Sequence, residues 1–232
     1  TTDRDYHGDP KDVAITEEET DYLLKATNEY FAQSVGRDDI VWSYSGVRPL
    51  FDDGASAAQE ATRDYVLKLD GDAASGAVVN VFGGKLTTSR RLAESVLDKI
   101  EEVLGKKGPA WTKSATLPGG DFGPKSFDAE LRRLGMDYPQ MNAGLLRRMM
   151  RLYGTRAKMV LGAARTEADL RTHFGADLYA AEVDYLVANE WARTAQDILW
   201  RRTKLGLKVS AEDAARLEEY LAAQGGSRAL LA

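Results

Sequence analysis

Within 232 residues, the stretch best suited to chemistry is Val81-Phe82-Gly83-Gly84-Lys85-Leu86-Thr87-Thr88. Its two glycines carry no Cβ, so backbone N–H groups there can approach a ligand closely. A helix opening at the paired threonines adds N–H groups with no intrahelical acceptor and a partial positive charge. Together these favour an anion or an electron-rich carbonyl oxygen. Lys85 supplies a full positive charge beside them. A P-loop is excluded, because Leu86 follows Lys85 where Ser or Thr is required, and Val79 stands where the first glycine belongs. The same residues also suit a tight strand-to-helix turn with a solvated lysine, and both readings stand.

A second candidate is Ser43-Tyr44-Ser45-Gly46-Val47-Arg48-Pro49-Leu50. Pro49 biases Arg48 towards extended backbone, and the planar guanidinium suits two-pronged contact with phosphate or carboxylate. Pairing with Asp52 or Asp53 is the alternative. In a third stretch, Glu190, Arg193, Asp197 and Arg201 recur at spacings of three, four and four. That pattern predicts a salt-bridged helix face beside an apolar one carrying Trp191, Ala195 and Ile198. His7 and His173 are the only histidines and there is no cysteine, so neither a metal site nor a thiol nucleophile is expected.

These residues must be positioned by two regions of different composition. Residues 1–108 carry 13 basic and 21 acidic side chains, net −8, whereas 109–232 carry 18 and 15, net +3. The Gly- and Pro-containing junction at 105–109 marks the expected boundary. In the first region, Thr16-Glu17-Glu18-Glu19 predicts a capping box, and Leu23, Ala26, Thr27, Tyr30 and Phe31 form one apolar helix face. Residues 40–45 form a β-branched and aromatic run. Residues 63–69 and 77–82 predict two strands joined by a loop at 70–76. A helix follows with Leu92, Val96, Ile100 and Val103 aligned. The second region is helical in pattern over 126–134, 140–153, 155–164, 176–189, 191–205 and 211–223. Ser126, Thr166 with Asp169, and Ser210 with Asp213 are the expected caps. The fold class is therefore α+β, a mixed α and β region followed by an all-α domain. The overall charge of −5 excludes the basic footprint of a nucleic-acid binder, and no apolar run approaches the ~20 residues that span a bilayer. The polar start, Thr1-Thr2-Asp3, without an initiator Met or a signal-peptide core, predicts a piece of a longer chain.

Taken together, the three stretches resemble the FAD-dependent glycerol-3-phosphate dehydrogenases of the aerobic, membrane-associated bacterial kind. The likeness extends through Thr62-Arg63-Asp64-Tyr65, Gly108-Pro109-Ala110-Trp111-Thr112, Leu117-Pro118-Gly119-Gly120, Asn189-Glu190-Trp191 and Trp200-Arg201-Arg202-Thr203-Lys204. It departs at the start, where no G-x-G-x-x-G pyrophosphate-binding turn occurs. The family's catalytic histidine and one phosphate-contacting arginine are likewise expected upstream of Thr1.

The resemblance implies that residues 1–108 are the tail of a flavin and substrate domain and 109–232 the helical C-terminal domain. For the complete enzyme it implies oxidation of sn-glycerol 3-phosphate to dihydroxyacetone phosphate with FAD as cofactor, and quinone as the electron acceptor. Arg48 and Lys85 would hold the substrate phosphate or border its reacting end, with Lys85 also catalytic. Gly46, Gly83, Gly84, Leu86, Thr87 and Thr88 would lie against the flavin. Peripheral association with the cytoplasmic face of the inner membrane follows from the family, and a homo-oligomer is compatible with it. The chain alone is expected to bind no FAD and to be inactive. Two other readings remain open. One is a non-catalytic helical docking module using the basic run Arg147-Arg148-Met149-Met150-Arg151. The other is an FAD-dependent oxidase of the amine or hydroxy-acid type.

Overall fold

A computed structural model describes residues 2, 4–48, 51 and 64–229. Two compact units part between Ala115 and Thr116. The first contains helix α1 (Glu17–Tyr30), strands β1 (Val66–Asp72) and β2 (Gly76–Phe82), and helix α2 (Ser89–Leu104). The expected capping box opens α1: Thr16 Oγ1 accepts the Glu19 N–H at 3.2 Å, and Glu19 Oε2 accepts the Thr16 N–H at 3.0 Å. Arg37 clamps the first turns of α1 through Glu17 and through Asp21 at 2.5 Å.

The two expected strands form an antiparallel hairpin in the register Val66↔Phe82 to Asp72↔Gly76. Its turn is shorter than the expected loop. Asp72 Oδ1 accepts the N–H groups of Ala74 and Ser75 and the Ser75 hydroxyl, so the ladder continues to Asp72. The first expected strand position, Arg63, lies outside the described residues. Helix α2 packs against both strands, with Leu92, Val96, Ile100 and Val103 half-buried as its periodicity predicts and Tyr65 Oη joined to Ser95 Oγ at 3.0 Å. Among the described residues the β-branched run at 40–45 forms no strand, and its residues are exposed. After α2, Thr112 Oγ1 bonds back to Glu94 and accepts from Arg90, which ties residues beyond 108 to the first unit.

The second unit contains α3 (Phe127–Asp137), α4 (Ala143–Tyr153), α5 (Ala157–Leu161), α6 (Ala180–Asn189) and α7 (Ala211–Ala229), with a π-helical turn Asp197–Arg202. Among the described residues, every buried side chain lies here, from Leu134 to Leu221. The helices expected at 155–164 and 176–189 are shorter than their apolar spacing suggests. Gly154 and Gly162, both at positive φ, bracket the first, and a His173↔Tyr179 bridge occupies the start of the second. Gly119 and Gly154 bring two backbones together: a Cβ on Gly119 would strike Tyr153 O, one on Gly154 would strike Gly119 O, and the Thr155 N–H donates to Gly119 O at 3.0 Å.

Capping is partly as expected. Asp169 accepts the N–H groups of Thr166 and Arg165, which hold its carboxyl below the ordinary range. Ser210 Oγ accepts the Asp213 N–H at 3.1 Å. The Ser126 hydroxyl makes no cap bond, although its residue stands at the expected position.

Inside this core, Glu182 of α6 is fully buried and accepts from both terminal nitrogens of Arg148 at 2.7 Å each and from the Tyr153 hydroxyl. Deleting one partner of such a pair costs about 3–5 kcal/mol, whereas replacing both by apolar groups is often nearly neutral. Denaturant unfolding should therefore show Glu182→Ala destabilised by about that amount. The double variant Glu182→Leu with Arg148→Met should recover most of the loss. If Glu182→Ala keeps the parent midpoint, the pair does not hold α4 against α6.

Candidate functional site

The segment from Phe82 into α2 has the geometry that its composition predicts. Gly83 and Gly84 have φ of +72° and +107°, left-handed backbone that reverses the chain between β2 and α2. A Cβ on Gly84 would lie 3.2 Å from Leu92 Cδ2, so the missing side chain also lets the turn close onto α2. A 3-10 turn, Leu86–Thr88, then leads into α2, with the Thr88 N–H donating to Lys85 O at 3.0 Å. The Thr88 hydroxyl donates to Lys85 O at 3.2 Å and the Ser89 hydroxyl to Leu86 O at 2.8 Å. These hydroxyls tighten the entry of the helix, while the first N–H groups of the turn have no intrahelical acceptor. Leu86 is 92% exposed, a large apolar side chain at the rim of these donors, and Lys85 is exposed beside it. Glycine backbone, open N–H donors and an uncovered apolar side chain suit the carbonyl edge of a flat heteroaromatic ring.

Gly46 and Arg48 lie on an exposed segment before the hairpin, with Trp42 and Tyr44 stacked at 5.1 Å. Pro49 and Leu50, the proposed acids Asp52 and Asp53, and Thr62 lie outside the described residues. The six residues Gly83 to Thr88 thus share one turn, and Gly46 and Arg48 belong to a separate segment.

The expected charged face at 190–201 does not form. Helix α6 ends at Asn189, and Trp191 takes a left-handed φ of +56°, which breaks the helical path between Glu190 and Arg193. Asp197 accepts the N–H groups of Arg193 and Thr194 at 3.0 Å each, bonds that hold its carboxyl below the usual range. Of the expected pairs only Asp197–Arg201 forms, at 2.9 Å. Arg202 instead donates twice to Glu190 O, and Thr203 donates its N–H and hydroxyl to Ile198 O, closing the wider π turn. His173 is a local structural group: its Nε2 lies 2.8 Å from Ala176 O, and its ring leans on Tyr179. Among the described residues no group of three or more His, Asp or Glu is placed to hold a metal, and no helix is long and apolar enough to cross a membrane.

Two features were missed from sequence. Trp191 is 84% exposed despite lying between helices. The Arg148–Glu182–Tyr153 network was signalled only by a glutamate inside the apolar run Tyr179-Ala180-Ala181-Glu182-Val183. Burial and the nearby Glu182 charge push the Tyr153 hydroxyl far above its ordinary value. Burial alone would lower Arg148, but its bonds to Glu182 and the charges of Glu182 and Asp177 raise it instead.

Residues 110–223 match the model of the C-terminal domain of alpha-glycerophosphate oxidase. Over 95% of its length the chain is 48% identical to a glycerol-3-phosphate dehydrogenase of Pseudomonas aeruginosa and 46% identical to an aerobic glycerol-3-phosphate dehydrogenase of Escherichia coli K12. By its helical residues 110–223 the chain belongs to the family of that glycerophosphate oxidase domain. It spans 43% and 44% of those two relatives' lengths. A D-erythritol 1-phosphate dehydrogenase of Brucella abortus is 44% identical, again over 95% of this chain and 44% of the relative. In this family member the glycine turn stands outside the helical domain matched by the model, on the hairpin-and-helix unit.

A side chain at Gly84 should be costly. Gly84→Ala forces a Cβ into left-handed backbone and against Leu92, a strain of about 1–3 kcal/mol. Hydrogen-exchange protection of the α2 amides should fall roughly five-fold to one-hundred-fold. Unchanged protection would show that the turn tolerates a side chain and is not under this constraint.

Proposed function

We propose that this chain contributes part of the substrate phosphate contacts and part of the flavin contacts of an enzyme that oxidises glycerol 3-phosphate to dihydroxyacetone phosphate. The observation that carries the reading is the Gly83-Gly84-Lys85-Leu86-Thr87-Thr88 turn, with two left-handed glycines and open helix-end donors, in a chain of this family. FAD, when bound, supplies an acceptor for the hydride leaving C2. The N–H groups of Leu86 and Thr87 would face the pyrimidine edge, where negative charge grows as hydride arrives, and fixed donors there stabilise it without reorganising. Gly83, Gly84, Gly46 and Thr88 would line the same edge.

Lys85 and Arg48 would meet the substrate. A phosphate monoester carries close to two negative charges at neutral pH, more than a helix end or one side chain can balance. The Arg48 guanidinium suits two-pronged contact with its oxygens. Lys85, at the glycine turn, would also steady negative charge on the C2 oxygen as its proton leaves. We further propose quinone as the final electron acceptor and peripheral attachment of the complete enzyme to the cytoplasmic face of the inner membrane.

The 44% identity to a D-erythritol 1-phosphate dehydrogenase favours a second reading, in which the substrate is a longer polyol phosphate. Both substrates place a hydroxyl-bearing carbon near a terminal phosphate, so the roles of Arg48 and Lys85 carry over.

Steady-state kinetics of the complete protein test the assignment. One charge-assisted hydrogen bond contributes about 1.5–3 kcal/mol, so Arg48→Ala and Lys85→Ala should each lower kcat/KM for glycerol 3-phosphate about ten-fold to over one-hundred-fold. Arg48→Lys should rescue only in part, because an ammonium lacks the planar fork. Lys85→Ala should lower kcat as well as raise KM. Parent kcat/KM in both alanine variants, with FAD still bound, would remove both residues from the site. Faster turnover of D-erythritol 1-phosphate than of glycerol 3-phosphate would select the second reading.

A further inference from the structure

Arg147 and Arg151 lie one turn apart on α4, and the fold sets them with Lys208 around a cavity of about 420 Å³ whose wall includes Arg148, Asp177 and Leu205. The charges of this wall do not cancel. Arg148 is ion-paired to Glu182 at 2.7 Å and to Asp177 at 2.9 Å, so these three groups together leave one negative charge. Its buried Nε–H meets Asp177 out of hydrogen-bond line, and its terminal nitrogens are held by Glu182 and Asp177 O, which makes Arg148 a fixed part of the wall. Arg147 lies over the Phe127 ring at 5.8 Å. Arg151 and Lys208 are exposed, and among the described residues neither makes an ion pair or side-chain hydrogen bond. Three uncompensated cations against one surplus negative charge leave about two positive charges facing the cavity, the complement of a phosphate monoester at neutral pH.

We propose that this cavity binds a small phosphorylated organic molecule, with its phosphate between Arg151 and Lys208 and its carbon skeleton against Leu205 and the arginine stems. The volume exceeds that of a bare phosphate and falls in the range of small-molecule sites, and the stems of two arginines with Leu205 give the skeleton an apolar wall. The site shares no residue with the Gly83–Thr88 turn, so it stands or falls separately from the activity proposed above. It also gives a use to the basic run on α4, which oxidation chemistry does not require.

The test is calorimetric titration of the 232-residue chain with glycerol 2-phosphate, inorganic phosphate and glycerol at constant ionic strength. The ester should bind saturably at one site and more tightly than inorganic phosphate, and glycerol should give no binding heat. Arg151→Gln and Lys208→Gln should each weaken the ester about ten-fold to one-hundred-fold, the loss of one charge-assisted bond. Their far-UV circular dichroism should be unchanged, because neither side chain supports the core. The double variant Arg48→Ala with Lys85→Ala should bind the ester like the parent. The proposal is overturned by absence of saturable binding at millimolar ester, by equal affinity for inorganic phosphate, or by binding that survives both glutamine variants. Loss of binding in the Arg48 and Lys85 variant alone would also overturn it.

Discussion

A single buried carboxylate organises the helical unit. Glu182 has no solvent contact, so its charge is tolerable only because Arg148 meets it with two nitrogens and Tyr153 donates a hydroxyl. Those contacts bind α6 to α4 at one register, since sliding either helix by a residue would leave a charge unpaired in the core. The surrounding contacts are apolar: Met149, Leu186 and Val183 pack without exposure. Apolar packing is forgiving of small shifts and the ion pair is not. Arg148 then stands fixed with Arg147 and Arg151 on either side, which is how a packing constraint inside the unit sets the charge of the cavity outside it.

The other unit depends on backbone more than on packing. Among the described residues it buries no side chain fully, and its two-stranded sheet leaves Val78, Val81 and Phe82 substantially exposed. A lone hairpin is marginal in water, so this one depends on the face that α2 covers. What gives this unit a defined chemical feature is the pair of left-handed glycines, which turn β2 directly into α2 and leave Lys85 and Leu86 at the helix entrance. The proposed flavin and substrate contacts rest on that turn.

Much of this was legible in the sequence because it depends on local rules. The Thr16 capping box, the hairpin, the half-buried face of α2 and the Ser210 cap each need only neighbours within a few residues. The errors arose where tertiary partners override periodicity. The spacing of Glu190, Arg193, Asp197 and Arg201 presumes one continuous helix, whereas Trp191 turns left-handed and Asp197 serves the backbone N–H groups of Arg193 and Thr194 instead. Glu182 was hidden for the opposite reason: its partners are 34 and 29 residues away, beyond any periodic pattern. At the candidate site, residue types and turn geometry were readable, while the placement of Arg48 on a segment separate from Lys85 was not, because spacing does not encode it.

The most direct measurement is a crystal structure of the complete protein with FAD and a non-reactive phosphate ester analogue of glycerol 3-phosphate. The account predicts the phosphate within hydrogen-bond reach of the Arg48 guanidinium or Lys85 Nζ, and the flavin's pyrimidine edge against the N–H groups of Leu86 and Thr87. A phosphate held without either cation, and a flavin that leaves the Gly83–Thr88 turn in solvent, would contradict it.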